Sequence, residues 1–243
     1  MGSTPSGATA RTWAEIDLGA LRHNFDLARA TGRKVMCIIK ADAYGHGAVT
    51  CGRFLEAHGA DAFGVACLSE AVELRRAGLN RPLLILGHTA PQEASALADL
   101  GLSQAVPDES FARELAAQAR NAGVQVSVHV KLDTGMSRLG LPAQGPDQAL
   151  EAARSVERLG ELGGLVVDGL FTHFAAADTP EEDSFTAWQL ENYLRVLEEL
   201  TRRGLRPAWC HTSNSACILS HPETQLDMVR EGIMLYGLYP DSA

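Results

Sequence analysis

Short apolar runs alternate with segments of helical periodicity along most of this chain. Eight runs predict β-strands, at residues 35–39, 62–66, 83–86, 103–106, 124–132, 165–174, 207–211 and 226–230. Between several of them, apolar side chains recur every three or four residues until a glycine ends the pattern, as in the helical face of Ala48, Cys51 and Leu55 before Gly59. Strands that alternate with helices favour a parallel sheet covered by helices.

Eight such units in 243 residues indicate an α/β fold of the TIM type, a closed (β/α)8 barrel. An open, doubly wound sheet is the alternative, and the absence of G-x-G-x-x-G after the first strand counts against it. Residues 12–17 look like an additional strand ahead of the first barrel unit. We therefore expect one barrel over residues 12–243 with an extra N-terminal strand, and a disordered tail at residues 1–11.

Composition and charge argue against several classes of function. A formal net charge of −9 makes the chain a poor candidate for binding nucleic acid. No apolar run approaches the roughly 18 residues that a membrane span needs. The five cysteines, an odd number without C-x-x-C, indicate free thiols in a reducing cytoplasm. No cluster of cysteine and histidine has the spacing of a metal site.

Lys40 follows the first predicted strand directly, in IIKADAYGHG. The carboxyl ends of barrel strands carry the active site in this fold, and an amine there would be partly desolvated. Desolvation favours the neutral amine that attacks a carbonyl, which is the chemistry of a lysine that binds pyridoxal 5′-phosphate (PLP). A surface lysine is the alternative, and the local sequence alone favours it. Tyr44, Gly45 and Gly47 would offer a hydroxyl and backbone N–H groups to a phosphate.

Apolar and polar residues alternate strictly along the predicted strand 124–132, and this pattern places a lysine in the barrel interior. Its valines would face the helices, so that Lys131 and the other polar residues would face the barrel interior. A buried cation is costly unless it is paired or chemically altered, and Asp133 and Arg138 lie just beyond it in KLDTGMSRLG. A half-exposed edge strand would avoid this cost, but a closed barrel has no edge strand.

Further polar groups end other predicted strands. His173 lies in FTHFAAAD, Asn214 in HTSNSA, and Arg230 with Gly232 in VREGIMLYG. For each, a local structural role is at least as good an explanation, such as helix capping by Asn214 or Ser213 or a turn at Gly232. Only their shared position at the carboxyl ends of strands groups them into one candidate site.

Taken together, these motifs resemble the alanine racemase family. IKADAYGHG is similar to its PLP-lysine motif, and WAEIDLGALRHNF, KLDTGMSRLG, GLFTHFAAAD, HTSNSA and VREGIMLYGLYP occur in the family's order over about residues 11–240. The resemblance implies PLP-dependent interconversion of L-alanine and D-alanine, which supplies D-alanine for peptidoglycan. It also implies a cytoplasmic protein that acts on a small amino acid and forms a homodimer at full length.

The resemblance further implies which residues contact the cofactor. Lys40 would form the Schiff base and act as one of two racemisation bases. The phosphate would be held by Tyr44, Ser215, Gly232 and Ile233. The full set of expected cofactor contacts is Lys40, Tyr44, Leu86, Arg138, His173, Asn214, Ser215, Arg230, Gly232 and Ile233.

Specific roles follow for five of the matching residues. Arg230 would bond to the pyridine nitrogen and, as a permanent cation, would disfavour its protonation. His173 would pack near the cofactor and bond to Arg230. Arg138 would bond to the phenolic oxygen and, with Met136, contact the substrate. Lys131 matches a lysine that is carbamylated in many family members, and a carbamate there could pair with Arg138.

In the family, the second base is a tyrosine from a C-terminal β-rich domain of the partner subunit. This sequence ends at Ala243, just after the barrel, so we expect a shortened chain or a fragment that binds PLP but racemises poorly by itself. A serine or broad-specificity racemase on the same fold is an alternative. A non-catalytic single-barrel PLP-binding protein is a further one, although its motifs do not resemble IKADAYGHG or HTSNSA.

Overall fold

The computed structural model describes residues 12–240. The predicted tail at residues 1–11 lies outside the described residues. The strands are β1 (Lys34–Ile38), β2 (Ala62–Val65), β3 (Leu83–Ile85), β4 (Leu102–Val106), β5 (Val126–Asp133), β6 (Leu141–Pro142), β7 (Leu165–Phe171), β8 (Trp209–His211) and β9 (Met228–Glu231). The helices are α1 (Leu18–Arg29), α2 (Lys40–Gly45), α3 (Ala48–Ala57), α4 (Leu68–Arg76), α5 (Ala94–Asp99), α6 (Glu109–Ala122), α7 (Pro146–Gly160), α8 (Asp183–Arg202) and α9 (Ser215–Ser220).

The strands form a parallel, nearly closed barrel. Their order is β8-β7-β5-β4-β3-β2-β1-β9, and the two-residue strand β6 pairs with β5 outside this path. Strand β1 pairs with both β2 and β9, which brings the last strand back beside the first. Between β8 and β9, Asp227 N donates to Cys210 O at 3.1 Å and Arg230 N to Ser213 O at 3.0 Å. The prediction of an α/β barrel is therefore confirmed, and the open doubly wound sheet is excluded.

Alternation along the strands separates two apolar layers. Val126, Val128 and Val130 of β5 pack in the large cluster that joins the strands to the helices. A smaller cluster fills the barrel interior and consists of Met36, Ile38, Ala62, Leu84, Ala105, Phe171 and Met228. Burying an aliphatic or aromatic side chain contributes about 1.5–3 kcal/mol, so the outer layer supplies most of the stability. The valines of β5 thus face the helices, as their alternation predicts.

Helix α6 shows why the sequence predicts the helices well. The Asp108 carboxylate accepts a hydrogen bond from Phe111 N at 2.8 Å and caps the first turn. Leu115 and Ala119 are buried on the same face as Phe111. Gly123 ends the helix with φ +70°, in the left-handed region that glycine adopts without steric cost.

The predicted strand at residues 12–17 is wrong. This segment forms no strand in the described structure, and Trp13 is 80% exposed. A strand needs a neighbour to take up its backbone N–H and C=O groups, and no described residue pairs with this segment. Asp17 instead caps α1, where its carboxylate accepts from Gly19 N at 2.7 Å and Ala20 N at 3.1 Å.

Candidate active site

A cavity of about 500 Å³ opens at the carboxyl ends of the barrel strands. Every residue that the family resemblance singled out for cofactor, substrate or modification lines it. These residues are Lys40, Tyr44, Leu86, Lys131, Met136, Arg138, His173, Asn214, Ser215, Arg230, Gly232 and Ile233. The fold thus gathers residues from both ends of the chain into one site, while their individual roles stay predictions.

Lys40 is followed by a left-handed turn that the sequence does not predict. Over Ala41–Tyr44, φ lies between 50° and 54° and ψ between 36° and 52°. This conformation costs about 1–2 kcal/mol for each residue with a side chain, so four in succession need strong local support. The turn places Tyr44 beside the lysine, with Lys40 Nζ 5.9 Å from the centre of the tyrosine ring.

Two carboxylates support this turn. Glu70, in the first turn of α4, accepts from Ala41 N at 2.8 Å and from Ala66 N at 2.7 Å. Asp42 accepts from Ala48 N at 2.7 Å and so joins the turn to the start of α3. Charge-assisted bonds to backbone N–H groups are stronger than neutral ones. Glu70 is therefore a supporting residue of the site, and no motif in the sequence identifies it.

The structure bears on two further expectations, the phosphate contact of Gly45 and Gly47 and the helix cap at Asn214. Gly45 and Gly47 do not line the cavity, and Gly47 N donates to Asp42 O at 2.9 Å, so the phosphate contact expected from these glycines is wrong. Asn214 does cap α9, because its Oδ1 accepts from Cys217 N at 3.0 Å. It also lines the cavity, so capping does not remove it from the site.

One corner of the cavity forms a cradle of hydroxyl and N–H groups. Ser215 Oγ accepts from Gly232 N at 3.0 Å and from Met234 N at 3.4 Å. A Cβ added to Gly232 would lie 3.4 Å from Ser215 Oγ and 3.8 Å from the Tyr44 hydroxyl. A side chain there would fill the space that the two hydroxyls border, so glycine keeps this corner open for a small group with several acceptor atoms.

Arg230 lies at the base of the cavity with an unusual set of partners. Its Nη1 donates to His211 Nδ1 at 3.1 Å and to His211 O at 2.9 Å. Its Nη2 donates to Thr172 O at 2.8 Å, Thr212 O at 3.0 Å and His173 Nδ1 at 3.3 Å. Within residues 12–240, Nε makes no hydrogen bond, so this N–H is available to a group in the cavity. The predicted contact between Arg230 and His173 is present.

The histidines near Arg230 are neutral. Burial, followed by the positive charge of Arg230, lowers the pKa of His173 to about 3 and that of His211 well below its ordinary value. Burial lowers the pKa of Arg230 itself to about 10, which leaves it protonated at neutral pH. Because arginine only donates, each neutral ring must present an unprotonated Nδ1 to it.

Lys131 is buried and faces the cavity, as the alternation of β5 predicts. It makes no ion pair with any residue from 12 to 240 that the structure describes. Burial, and then the charges of Arg138 and Arg230, lower the pKa of Lys131 to about 8. A substantial fraction of this amine is therefore neutral near physiological pH.

None of the helices within residues 12–240 has the length and apolar character of a membrane span. The described residues also contain no group of three or more His, Cys, Asp or Glu placed to hold a metal ion.

Comparison with known proteins agrees with the motifs. Residues 16–240 match the family described as "Alanine racemase, N-terminal domain". The alanine racemase of Desulforamulus reducens is 42% identical over 231 residues, which cover 94% of this chain and 61% of that protein. The alanine racemase of Methanococcus maripaludis is 39% identical over 232 residues, with 94% and 60% covered. The chain thus spans about three fifths of the length of these curated relatives.

Solved structures show the same relationship. An alanine racemase from Clostridium difficile 630, in complex with cycloserine, superposes with a TM-score of 0.90 at 36% identity over 97% of this chain and 64% of that one. A histidine racemase from Leuconostoc mesenteroides gives a TM-score of 0.80 at 28% identity, over 91% and 58%. On the family match over residues 16–240, this chain belongs to the alanine racemase family, of which it carries the N-terminal domain.

Proposed function

We propose that this chain binds PLP covalently through Lys40 and serves the interconversion of L-alanine and D-alanine. The observation that carries the proposal is the meeting of three groups in one cavity of about 500 Å³: the Lys40 amine, the cradle at Ser215 and Gly232, and Arg230. PLP has a reactive aldehyde, a phosphate and a pyridine nitrogen, and each of these has a partner of matching chemistry here. A cavity of this size also suits a cofactor with a small substrate.

The cradle suits the phosphate of PLP. Ser215 and Tyr44 would contribute hydroxyls, and Ile233 would contribute a backbone N–H group. Gly232, whose own N–H donates to Ser215 Oγ at 3.0 Å, would leave room for the phosphate. Glycine at position 232 keeps the space that a Cβ would occupy. Since a phosphate carries several acceptor oxygens, it would satisfy all of these donors together.

Arg230 would bond to the pyridine nitrogen through Nε. PLP, when bound, withdraws electrons from the amino-acid Cα and so acidifies its hydrogen. The carbonyl oxygens of Thr172, His211 and Thr212 accept from the other N–H groups of Arg230. These contacts favour the protonated guanidinium, so Arg230 can only donate to the pyridine nitrogen. It thereby disfavours protonation of the pyridine nitrogen and weakens the withdrawal of electrons. Simple exchange of the α-proton is then favoured over reactions that need a stronger electron sink.

Lys40 would hold the cofactor at rest and move the proton during the reaction. Once a substrate amine has taken its place, Lys40 Nζ would be a free base next to the Cα–H bond. Arg138 and Met136, at the mouth of the cavity, would contact the substrate. Assembly as a homodimer and a cytoplasmic supply of D-alanine for peptidoglycan belong to the same proposal.

Lys131 would react with carbon dioxide. A neutral amine would attack the carbon of CO₂: an N–C bond forms, one C=O π bond opens with its electron pair moving to oxygen, and the nitrogen releases a proton to solvent. The lowered pKa of Lys131 supports this step, because it increases the neutral fraction. The product is an anion in place of a buried cation, and it would pair with Arg138.

The function is tested by adding PLP to the chain and incubating it in D₂O with L-alanine and, separately, with D-alanine, because a single base removes the α-hydrogen of only one enantiomer. We expect an absorbance band that borohydride abolishes, and exchange of the alanine α-hydrogen for deuterium faster than with free PLP. This exchange requires only the Lys40 half of a two-base reaction. A chain that never binds PLP would contradict the whole proposal, and one that binds PLP without exchange would contradict the racemase part. L-serine and L-histidine test the alternative substrates, because a relative of similar fold is a histidine racemase.

Ser215→Ala should weaken PLP binding about tenfold, since the cradle loses a hydroxyl that also orders Gly232 N–H. Pyridoxal, which lacks the phosphate, should bind both proteins within about twofold. Absorbance titrations with the two compounds measure the difference. Ser103→Ala, at the opposite end of the barrel, is the control. Equal losses for PLP and pyridoxal would mean that Ser215 supports the fold rather than the phosphate.

A further inference from the structure

Three side chains form a continuous hydrogen-bonded line through the barrel. Arg230 Nη1 donates to His211 Nδ1 at 3.1 Å, and His211 Nε2 lies 2.9 Å from His129 Nδ1. Because arginine can only donate, His211 Nδ1 must accept, and its proton must sit on Nε2. His211 Nε2–H then donates to His129 Nδ1, which leaves the proton of His129 on its own Nε2. A single guanidinium thus sets the direction of the whole line.

The surroundings make this line rigid. His211 is fully buried and stacks on Phe171, with ring centres 5.0 Å apart and planes 6° apart. A Cβ added to Gly169 would lie 2.3 Å from His129 Nδ1, so the imidazole fills the space that a side chain would need. Burial, together with the charge of Arg230, lowers the pKa of His129 to about 4, which keeps this ring neutral as well.

The line ends at a second cavity. This cavity of about 310 Å³ lies at the amino-terminal end of the strands, and His129, Ser103, Ser127 and Asp168 are among the residues that line it. None of the described residues, 12–240, bonds to His129 Nε2. His129 therefore stands between the two ends of the barrel, with Nδ1 bonded to His211 and Nε2 without a partner among the described residues.

We propose that His129 is a positioning residue, which holds the His211 ring in one orientation and one tautomer and thereby aims Arg230 into the candidate active site. The inference rests on the proposed function, in which Arg230 contacts the pyridine nitrogen. His211 Nδ1 accepts from Arg230 and His211 Nε2–H donates to His129. A 180° flip of the His211 ring breaks both of these hydrogen bonds. Without His129, the buried Nε2–H has no partner, and a buried donor without a partner is costly. The flipped orientation of His211 then becomes populated beside the original one. In the flipped orientation, Arg230 Nη1 loses His211 Nδ1 as an acceptor.

The test compares two substitutions that fill similar space. In His129→Asn, an amide oxygen takes a position close to that of Nδ1 and still accepts from His211. His129→Leu offers no acceptor. Ser127→Ala, on the same strand and in the same second cavity, is the matched control. All are compared with the unchanged chain, first without PLP and then with it.

The first measurement is ¹⁵N NMR of the histidine rings in the PLP-free chain at pH 7, with His211 assigned by its own substitution. We expect an unprotonated Nδ1 and a protonated Nε2 in the unchanged chain, in His129→Asn and in Ser127→Ala. His129→Leu should show exchange broadening or a mixture of tautomers. The second measurement is PLP affinity, which should fall about tenfold in His129→Leu and change less than threefold in the other two.

Several outcomes would overturn the inference. A His211 ring protonated on Nδ1 in the unchanged chain contradicts the direction of the line. A His129→Leu protein with an unaltered His211 spectrum contradicts the positioning role, as does an equal loss of PLP affinity in Ser127→Ala. If His129→Leu does not fold, the spectra of the unchanged chain and of His129→Asn test the inference. Loss of the single His211 tautomer in His129→Asn would also contradict the positioning role. Failure of PLP to bind would contradict the proposed function alone, since the PLP-free spectra still test the line.

Discussion

Lys40→Ala is expected to abolish covalent binding of PLP and to reduce α-hydrogen exchange of alanine roughly 10³-fold. The chain has three lysines, and only two of them, Lys40 and Lys131, line the cavity at the carboxyl ends of the strands. Of these, Lys40 stands beside Tyr44, next to the phosphate cradle. Removal of its amine removes both the attachment point and the proposed base.

The attachment site can be read directly. Borohydride reduction of the PLP-treated chain, followed by peptide mass mapping, should place one pyridoxyl phosphate on Lys40 in the unchanged protein and none in the variant. Lys34→Ala is the control, because Lys34 is exposed at the start of β1 with its Nζ 4.9 Å from the Trp209 ring centre. A label that moves to Lys131, or remains in full after Lys40→Ala, would contradict the assignment.

Glu231→Gln is expected to stabilise the fold, and more so as the pH rises. Glu231 is fully buried, and neither of its carboxylate oxygens has a hydrogen-bond partner within the described residues. Burial, and to a lesser extent the charge of Asp26, raises the pKa of Glu231 from 4.5 to about 8. Between these two values the folded chain holds a proton that the unfolded chain has released.

The sign of the pH effect follows from that proton. Because the folded state binds more protons between about pH 4.5 and pH 8, its stability falls as the pH rises through this window and levels off above it. Glutamine has nearly the same shape and does not ionise. The variant should therefore gain little at pH 4.5 and on the order of 5 kcal/mol above pH 8.

Urea unfolding at pH 5, 7 and 9 measures this difference. Glu161→Gln, at an exposed position after α7, is the control and should change the free energy of unfolding by less than about 0.5 kcal/mol at each pH. A gain for Glu231→Gln that does not depend on pH would show that the carboxyl group is not protonated by burial. A loss of stability at pH 9 would show that Glu231 is ionised and well solvated.

Local patterns in the sequence were sufficient for the barrel. The eight strands follow from short apolar runs, because each barrel strand buries one face against helices and the other in the interior. The alternation of β5 even predicted that Lys131 faces inward. Helices α1 and α7 were not predicted. The buried face of α7 consists largely of alanines, including Ala149, Ala152 and Ala153, whose weak hydrophobic contrast gives little periodic signal.

The segment 12–17 shows the opposite error. Its alternation resembles a strand, but strand formation depends on a neighbouring backbone, and Asp17 forms a helix cap at its end. The left-handed turn at Ala41–Tyr44 could not be predicted from the sequence either. No glycine occurs among these four residues, and the carboxylate that supports their backbone belongs to Glu70, on a different helix.

The sequence by itself determined the fold class, the family, and the placement of Lys40, His173, Asn214 and Arg230 at the carboxyl ends of strands, because each of these depends on residues near one another in the chain. Only the tertiary structure decided which groups form hydrogen bonds around these side chains and which charged groups are buried. The Glu70 carboxylate, the line from Arg230 through His211 to His129, and the buried Glu231 all depend on distances between segments far apart in sequence. Hydrogen bonds and burial act over a few ångströms in space, so they become visible only when the barrel has brought these segments together.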